Sequence, residues 1–130
     1  MKAVRVHKFG GLDALIYEDI LEPSAGEHQV LVRVQAAGVG PWDALIREGR
    51  SELALPLPLI LGSDFAGIVE AVGPDVTAFR KGDAVFGATN PLFIGAYAEY
   101  AVVNAAMIAA KPSQINDIEA ASVPVVAVTA

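Results

Sequence analysis

Cysteine is absent from this chain and histidine occurs only twice, at His7 and His28. Without thiols no disulfide framework can form, which agrees with a cytoplasmic setting. A zinc site built on Cys or His takes three or four such ligands, more than the chain can supply. Clustered Asp/Glu loops of the kind that bind Ca²⁺ or Mg²⁺ are missing too. A bilayer span needs about 20 apolar residues, and the longest apolar runs, residues 53–61 and 123–130, fall far short. The start, Met1-Lys2-Ala3-Val4-Arg5-Val6, alternates in character and lacks the apolar centre of a signal peptide, so export is not expected. Basic side chains are few, 9 against 15 acidic, and dispersed. With a net charge of −6, neither nucleic acid nor an anionic membrane is an expected partner.

What is present is apolar and strand-like. Hydrophobic residues make up 54% of the 130 and charged ones 18%, a composition for one globular domain with its own core. The dominant period is two. Val4 and Val6 share one face of a first strand within residues 2–8, which Gly10-Gly11 turns. Leu15-Ile16-Tyr17 reads as a second strand, and residues 29–37 as a third with Val30, Val32 and Val34 inward. Pro41 suits a helix start, residues 42–48 make about two turns, and Gly49 suits the position just past the helix end. Pro56 and Pro58 keep residues 53–61 an extended apolar loop. Strands are expected over 65–72, 84–86 (ended by Gly87), 97–103 and 107–109, then a helix capped by Ser113 and running to about Ala121. Short strands separated by Gly/Pro turns predict a mainly β chain, a partly open β-barrel with short helices.

Taken in order, these segments resemble the medium-chain dehydrogenase/reductase superfamily, in particular its zinc-independent quinone-oxidoreductase branch. The resemblance rests on Met1-Lys2-Ala3-Val4 with His7-Lys8-Phe9-Gly10-Gly11, on Val30-Leu31-Val32-Arg33-Val34, and on Ala36-Ala37-Gly38-Val39. It continues through Pro41-x-Asp43 with Arg47 and Gly49, Gly62-Ser63-Asp64-Phe65-Ala66-Gly67-Ile68-Val69 and Val72-Gly73. Lys81-Gly82-Asp83-x-Val85, Gly95-Ala96-Tyr97-Ala98-Glu99-Tyr100, Ala120-Ala121 and Val128-Thr129-Ala130 complete it. The resemblance implies a GroES-like catalytic domain over residues 1–122, with 123–130 starting the connection to a nucleotide-binding Rossmann domain. No G-x-G-x-x-G follows a strand here, since Gly38-Val39-Gly40 lacks the third glycine. The chain is therefore expected to be a fragment or natural truncation without the cofactor's phosphate site.

The same resemblance supplies candidate residues. Zinc-dependent members place a cysteine where Gly40 stands and a His-Glu pair where Ser63-Asp64 stands, so no zinc is expected. Trp42, Asp43, Leu45 and Asp64 are the candidate substrate pocket; Gly40 and Thr129 are candidate contacts to NADPH or NADH in the full-length enzyme. No catalytic acid or base is singled out. Trp42 either walls the pocket or packs in the core, and Asp43 either orients its loop or is simply a first-turn helix acid. Relatives often carry Asn at the Gly40 position and Tyr at the positions of Leu45 and Ser51. Gly40 either lets cofactor or substrate approach the backbone or only serves loop geometry. Tyr97 and Tyr100 are expected in the core or on the barrel surface, and His7 and His28 in solvent. The loops after Pro41 and Leu61 are expected to converge, so that Trp42 and Asp64 face one cleft bordered by Thr129.

The implied activity is NAD(P)H-dependent reduction of a quinone or an α,β-unsaturated carbonyl, enoyl thioesters included, with the hydride chemistry belonging to the cofactor. The 130 residues alone are expected to be inactive. The resemblance leaves room for a homodimer in the full-length form. Two other readings stand beside it: a free-standing GroES-like binding module, or a substrate-pocket domain working in trans with a separate nucleotide-binding chain.

Overall fold

A computed structural model describes residues 1–52 and 55–129; Leu53, Ala54 and Ala130, which fall in the expected loop and the expected connection, lie outside the described residues. The strands are β1 (Lys2–Val6), β2 (Leu15–Asp19), β3 (Gln29–Ala37), β4 (Leu59–Ile60), β5 (Asp64–Val72), β6 (Ala84–Ala88), β7 (Tyr100–Asn104) and β8 (Ile108–Ala110). Among the described residues three short α-helices accompany them, α1 (Pro41–Arg47), α2 (Asp117–Ala121) and α3 (Pro124–Thr129), with single 3-10 turns at Leu12–Ala14 and Ala105–Met107.

The strands form an antiparallel sheet of order β2-β1-β4 and a second of order β7-β3-β5-β6-β8. They meet along one seam, where Val4 N–H donates to the Tyr97 carbonyl at 2.8 Å and Glu99 N–H to the Lys2 carbonyl at 3.0 Å. The sheets do not close into a continuous barrel, in keeping with the partly open architecture of a GroES-like domain.

Alternation places Val30 and Val32 of β3, Phe65 and Val69 of β5, Val85 of β6 and Val103 of β7 in one core, each fully buried. A second cluster, Val6, Ala14, Ile46, Leu59 and Leu61, fills the space under the three-stranded sheet and α1. Two bulges interrupt the β3–β5 ladder, where Glu70 of β5 and Gln35 of β3 each lack a partner. The second lies at the end of β3 leading into α1 and shifts the register there.

Four expectations are corrected. β6 runs through Gly87 to Ala88, because β5 and β8 pair with it on both sides. β7 begins at Tyr100, since the stretch 97–99 turns to join β1. Residues 59–60 form a short strand on β1 behind the prolines. Ser113 does not cap α2: Asn116 does, accepting from the Glu119 N–H at 2.8 Å while Glu119 accepts from the Asn116 N–H at 3.1 Å, a reciprocal capping box. Around α1 the expectation matches, with Pro41 in its first turn and Gly49 at φ +74° just past it.

Candidate active site

α1 begins at Gly40, and Asp43 in its first turn turns back to accept the Gly40 N–H at 2.9 Å. The same oxygen, Oδ2, accepts the Tyr97 hydroxyl at 2.9 Å. Asp43 thereby ties the α1 loop to the stretch ahead of β7 across 54 residues of sequence. Burial pushes the Tyr97 phenol well above its ordinary range, and the Asp43 carboxylate that accepts its proton pushes it further. Tyr97 is thus a permanent donor at neutral pH. It faces the core with its ring and the site with its hydroxyl.

The second loop meets the first through Asp64. Its carbonyl accepts the Gly38 N–H at 2.8 Å, and its carboxylate Oδ2 accepts the Val125 N–H at the start of α3, at 3.3 Å. Asp64 is only 3% exposed. Burial raises its carboxyl above the usual carboxylate range, with the nearby Asp43 charge adding to the effect; the Val125 N–H and the Ser63 hydroxyl oppose it.

A carboxyl raised in the folded chain binds more protons there than in the unfolded one, so its ionisation costs stability. The full contribution is present below the unfolded carboxylate pKa of about 3.9 and is lost as pH rises through the folded value. Asp64→Asn should therefore match the parent near pH 3 and gain on it as pH rises from about 4. Thermal melts of both proteins from pH 3 to 8 check this; parallel curves would contradict it.

Trp42 is half-buried beside the second core cluster and folds back over the residue that starts its helix. A Cβ on Gly40 would lie 2.3–2.5 Å from Cζ2, Cε2 and Cη2 of the indole. The room above Gly40 is thus filled by Trp42, not left open for a cofactor to approach the backbone, and the glycine serves this packing. Leu45 is exposed on α1. Thr129 is exposed and borders a groove of about 660 Å³ between α3 and the β6–β8 edge, with Phe86, Phe93, Met107 and Val128 among its walls.

The structure thus gathers Gly40, Trp42, Asp43 and Asp64 into one neighbourhood, with α3 and Thr129 attached to it through Val125. Among the described residues, Trp42 Nε1, Asp43 Oδ1 and Asp64 Oδ1 are buried without a hydrogen-bond partner. Such atoms are uncommon and mark places where water or a ligand group belongs. The chain has no cysteine, and His7 pairs with Glu18 on the surface. Elsewhere, Glu27, His28 and Asp75 approach one another on the surface. There His28 Nε2 lies 4.0 Å from Glu27 and Nδ1 3.9 Å from Asp75, with all three side chains exposed.

Two participants are illegible in the sequence. Tyr97 sits on a segment whose pattern reads as strand, and nothing local links it to Asp43. Phe93 lies in the 89–95 loop, packs against the second core cluster as Trp42 and Tyr97 also do, and borders the groove of Thr129. A positive φ of 60° makes it unusual for a bulky residue.

Residues 26–113 match the alcohol dehydrogenase GroES-like domain family. The human quinone oxidoreductase is 48% identical over 103 residues, covering 78% of this chain and 31% of that protein. The chloroplastic NADPH-dependent alkenal/one oxidoreductase of Arabidopsis thaliana is 37% identical over 138 positions, covering all of this chain and 36% of that protein. Among solved structures, the quinone oxidoreductase of Escherichia coli complexed with NADPH superposes with a TM-score of 0.86 at 30% identity, over 93% of this chain and 36% of that one. The chain spans about a third of the length of the curated relatives it matches.

Proposed function

Because this chain belongs to the alcohol dehydrogenase GroES-like domain family, in the quinone-oxidoreductase-like branch of the medium-chain dehydrogenase/reductase superfamily, we propose that it forms the substrate-side domain of a zinc-independent NAD(P)H oxidoreductase acting on quinones or α,β-unsaturated carbonyls. The observation that carries this reading is the gathering of Trp42, Asp43 and Asp64, with their unpaired buried polar atoms, beside the segment that ends in Thr129. A few polar groups set in apolar walls are what a small-molecule site consists of.

The donor set argues for metal independence. Where a zinc site would draw on sulfur and imidazole, the chain offers Gly40, Ser63 and Asp64, and the Asp64 carboxylate is engaged with Val125. Ser63 is fully buried and is no zinc ligand of useful affinity.

Nicotinamide cofactor, held mainly by residues outside these 130, supplies the hydride. The part played by this chain is placement. Thr129 would border the nicotinamide, and Trp42 would wall the acceptor. Asp43 and Tyr97 lock the α1 loop against the 95–97 stretch so that this wall keeps its position. A conjugated acceptor is already electrophilic, so fixing its distance and orientation accounts for much of the rate, and water can deliver the proton.

Two measurements test the reading. Calorimetric titration of the 130-residue chain with NADPH and with NADH should give no binding tighter than about 1 mM, roughly 4 kcal/mol, while the enzyme containing this domain oxidises NADPH in the presence of a quinone or enone. Micromolar binding by the chain alone, or an enzyme inert toward both acceptor classes, would refute it. Separately, protein purified without a metal-binding tag should carry well under one zinc per chain, and a chelator should leave its melting temperature unchanged. Stoichiometric zinc would overturn the metal-free mechanism.

A further inference from the structure

We propose that Phe93, which packs on the same core cluster as Trp42 and lines the groove of Thr129, is a specificity-determining wall of the acceptor cleft, held in a strained backbone conformation that favours flat, aromatic or ring-conjugated acceptors. This rests on the function proposed above and extends it to a residue and a substrate class.

Three observations carry it. The first is position: the Phe93 ring packs against the cluster of Val6, Ala14, Ile46, Leu59 and Leu61, on which Trp42 and Tyr97 also pack, and it borders the groove that Thr129 enters from α3. Phe93 is the residue common to both surroundings. The second is conformation. At φ 60° Phe93 occupies the left-handed region, which costs a side chain with a Cβ roughly 1–2 kcal/mol. Such strain persists only where surrounding structure imposes it, and it collects at ligand sites.

The third is the scaffold that imposes it. Phe93 N–H donates to the Asn90 carbonyl at 3.1 Å, and Leu92 N–H donates to Asn90 Oδ1 at 3.0 Å. The Ile94 carbonyl accepts both the Thr89 hydroxyl at 2.7 Å and Asn90 Nδ2 at 2.9 Å. Thr89 is fully buried. Four hydrogen bonds and one buried polar side chain thus fix a loop whose apex is a single partly exposed aromatic ring. If the ring served the fold alone, Gly at this position would give the same turn without strain. An aromatic face held rigidly toward a cleft adds offset stacking for a planar ligand.

The test separates fold from function. In the 130-residue chain, Phe93→Gly should melt at or above Phe93→Ala, reversing the usual order of the two residues, because only glycine relieves the strain. In the enzyme containing this domain, both variants should raise KM for an aromatic quinone about tenfold, the loss of one stacked face. KM for a small acyclic enone and the Kd for NADPH should change less than about twofold, since neither uses that face. Phe93→Tyr, which keeps the ring, should restore the quinone KM. A KM for the quinone unchanged in Phe93→Gly, or raised equally for the acyclic enone, would overturn the proposal while leaving the function above intact. An unmodified enzyme that reduces neither acceptor would instead remove the function itself, and this inference with it.

Discussion

Gly73→Ala should lower the melting temperature of the chain by roughly 10 °C. The new Cβ would stand 1.9 Å from the Gly26 carbonyl oxygen and 2.6 Å from that of Glu27. Both obstacles are backbone, so no side chain can rotate away. Separation is also resisted, because Gly73 N–H donates to the Gln29 carbonyl at 2.8 Å and Asp75 N–H to the Glu27 carbonyl at 3.1 Å. Overpacking of this kind costs about 1–3 kcal/mol, and each hydrogen bond lost adds about 1 kcal/mol. A total near 3 kcal/mol is a large share of a typical domain's stability of about 5–15 kcal/mol. Gly82→Ala is the comparison: nothing lies within 4 Å of its Cβ, so only the strain of a positive φ remains and the loss is smaller. Scanning calorimetry of the two variants decides the matter; a Gly73→Ala midpoint within about 2 °C of the parent would disprove the close crossing.

The second large effect is a coupling between Gly40 and Trp42. Gly40→Asn must expel the indole that fills the side-chain space of residue 40, at a cost of about 2 kcal/mol by the same overpacking argument. Trp42→Ala empties that space, so the double variant should recover most of the loss, with an interaction energy of about 1–2 kcal/mol. Trp42 is the sole tryptophan, so its emission reports directly whether Gly40→Asn drives the ring into solvent. In the enzyme containing this domain, Trp42→Ala should raise KM for a bulky acceptor about tenfold and spare cofactor affinity, as for a wall that binds ground and transition states alike. Additive stabilities in the cycle would show that the ring does not occupy that space. An unchanged KM would take Trp42 out of the cleft.

Much of the fold is legible because its signals are local. The alternation Val30, Val32, Val34 places β3 on the core whatever its neighbours are. Pro41 and Gly49 mark the ends of α1 through their own backbone constraints. The expectation that Gly40, Trp42, Asp43 and Asp64 share one site comes from the family resemblance and not from any local pattern. Ser113 misled as a cap because several polar residues precede α2 and only the geometry shows which one faces the free N–H groups.

The sequence by itself determined the β-rich architecture, the family and the lack of sulfur or imidazole donors where zinc would sit, since each is written in residue type and spacing along the chain. Only the tertiary structure decided what fills the space above Gly40, which residue joins Asp43, and that Phe93 both packs on the core cluster beneath α1 and lines the groove of Thr129. It also showed that Gly73 is required by a backbone crossing and not merely by the turn it begins. These facts depend on atoms brought together from distant segments: the Tyr97 hydroxyl and Asp43 lie 54 residues apart, and Gly26 and Gly73 belong to different turns. Local pattern carries torsional preference and amphipathic period, whereas contact across such separations is set by register, bulges and packing, which exist only once the sheets have assembled.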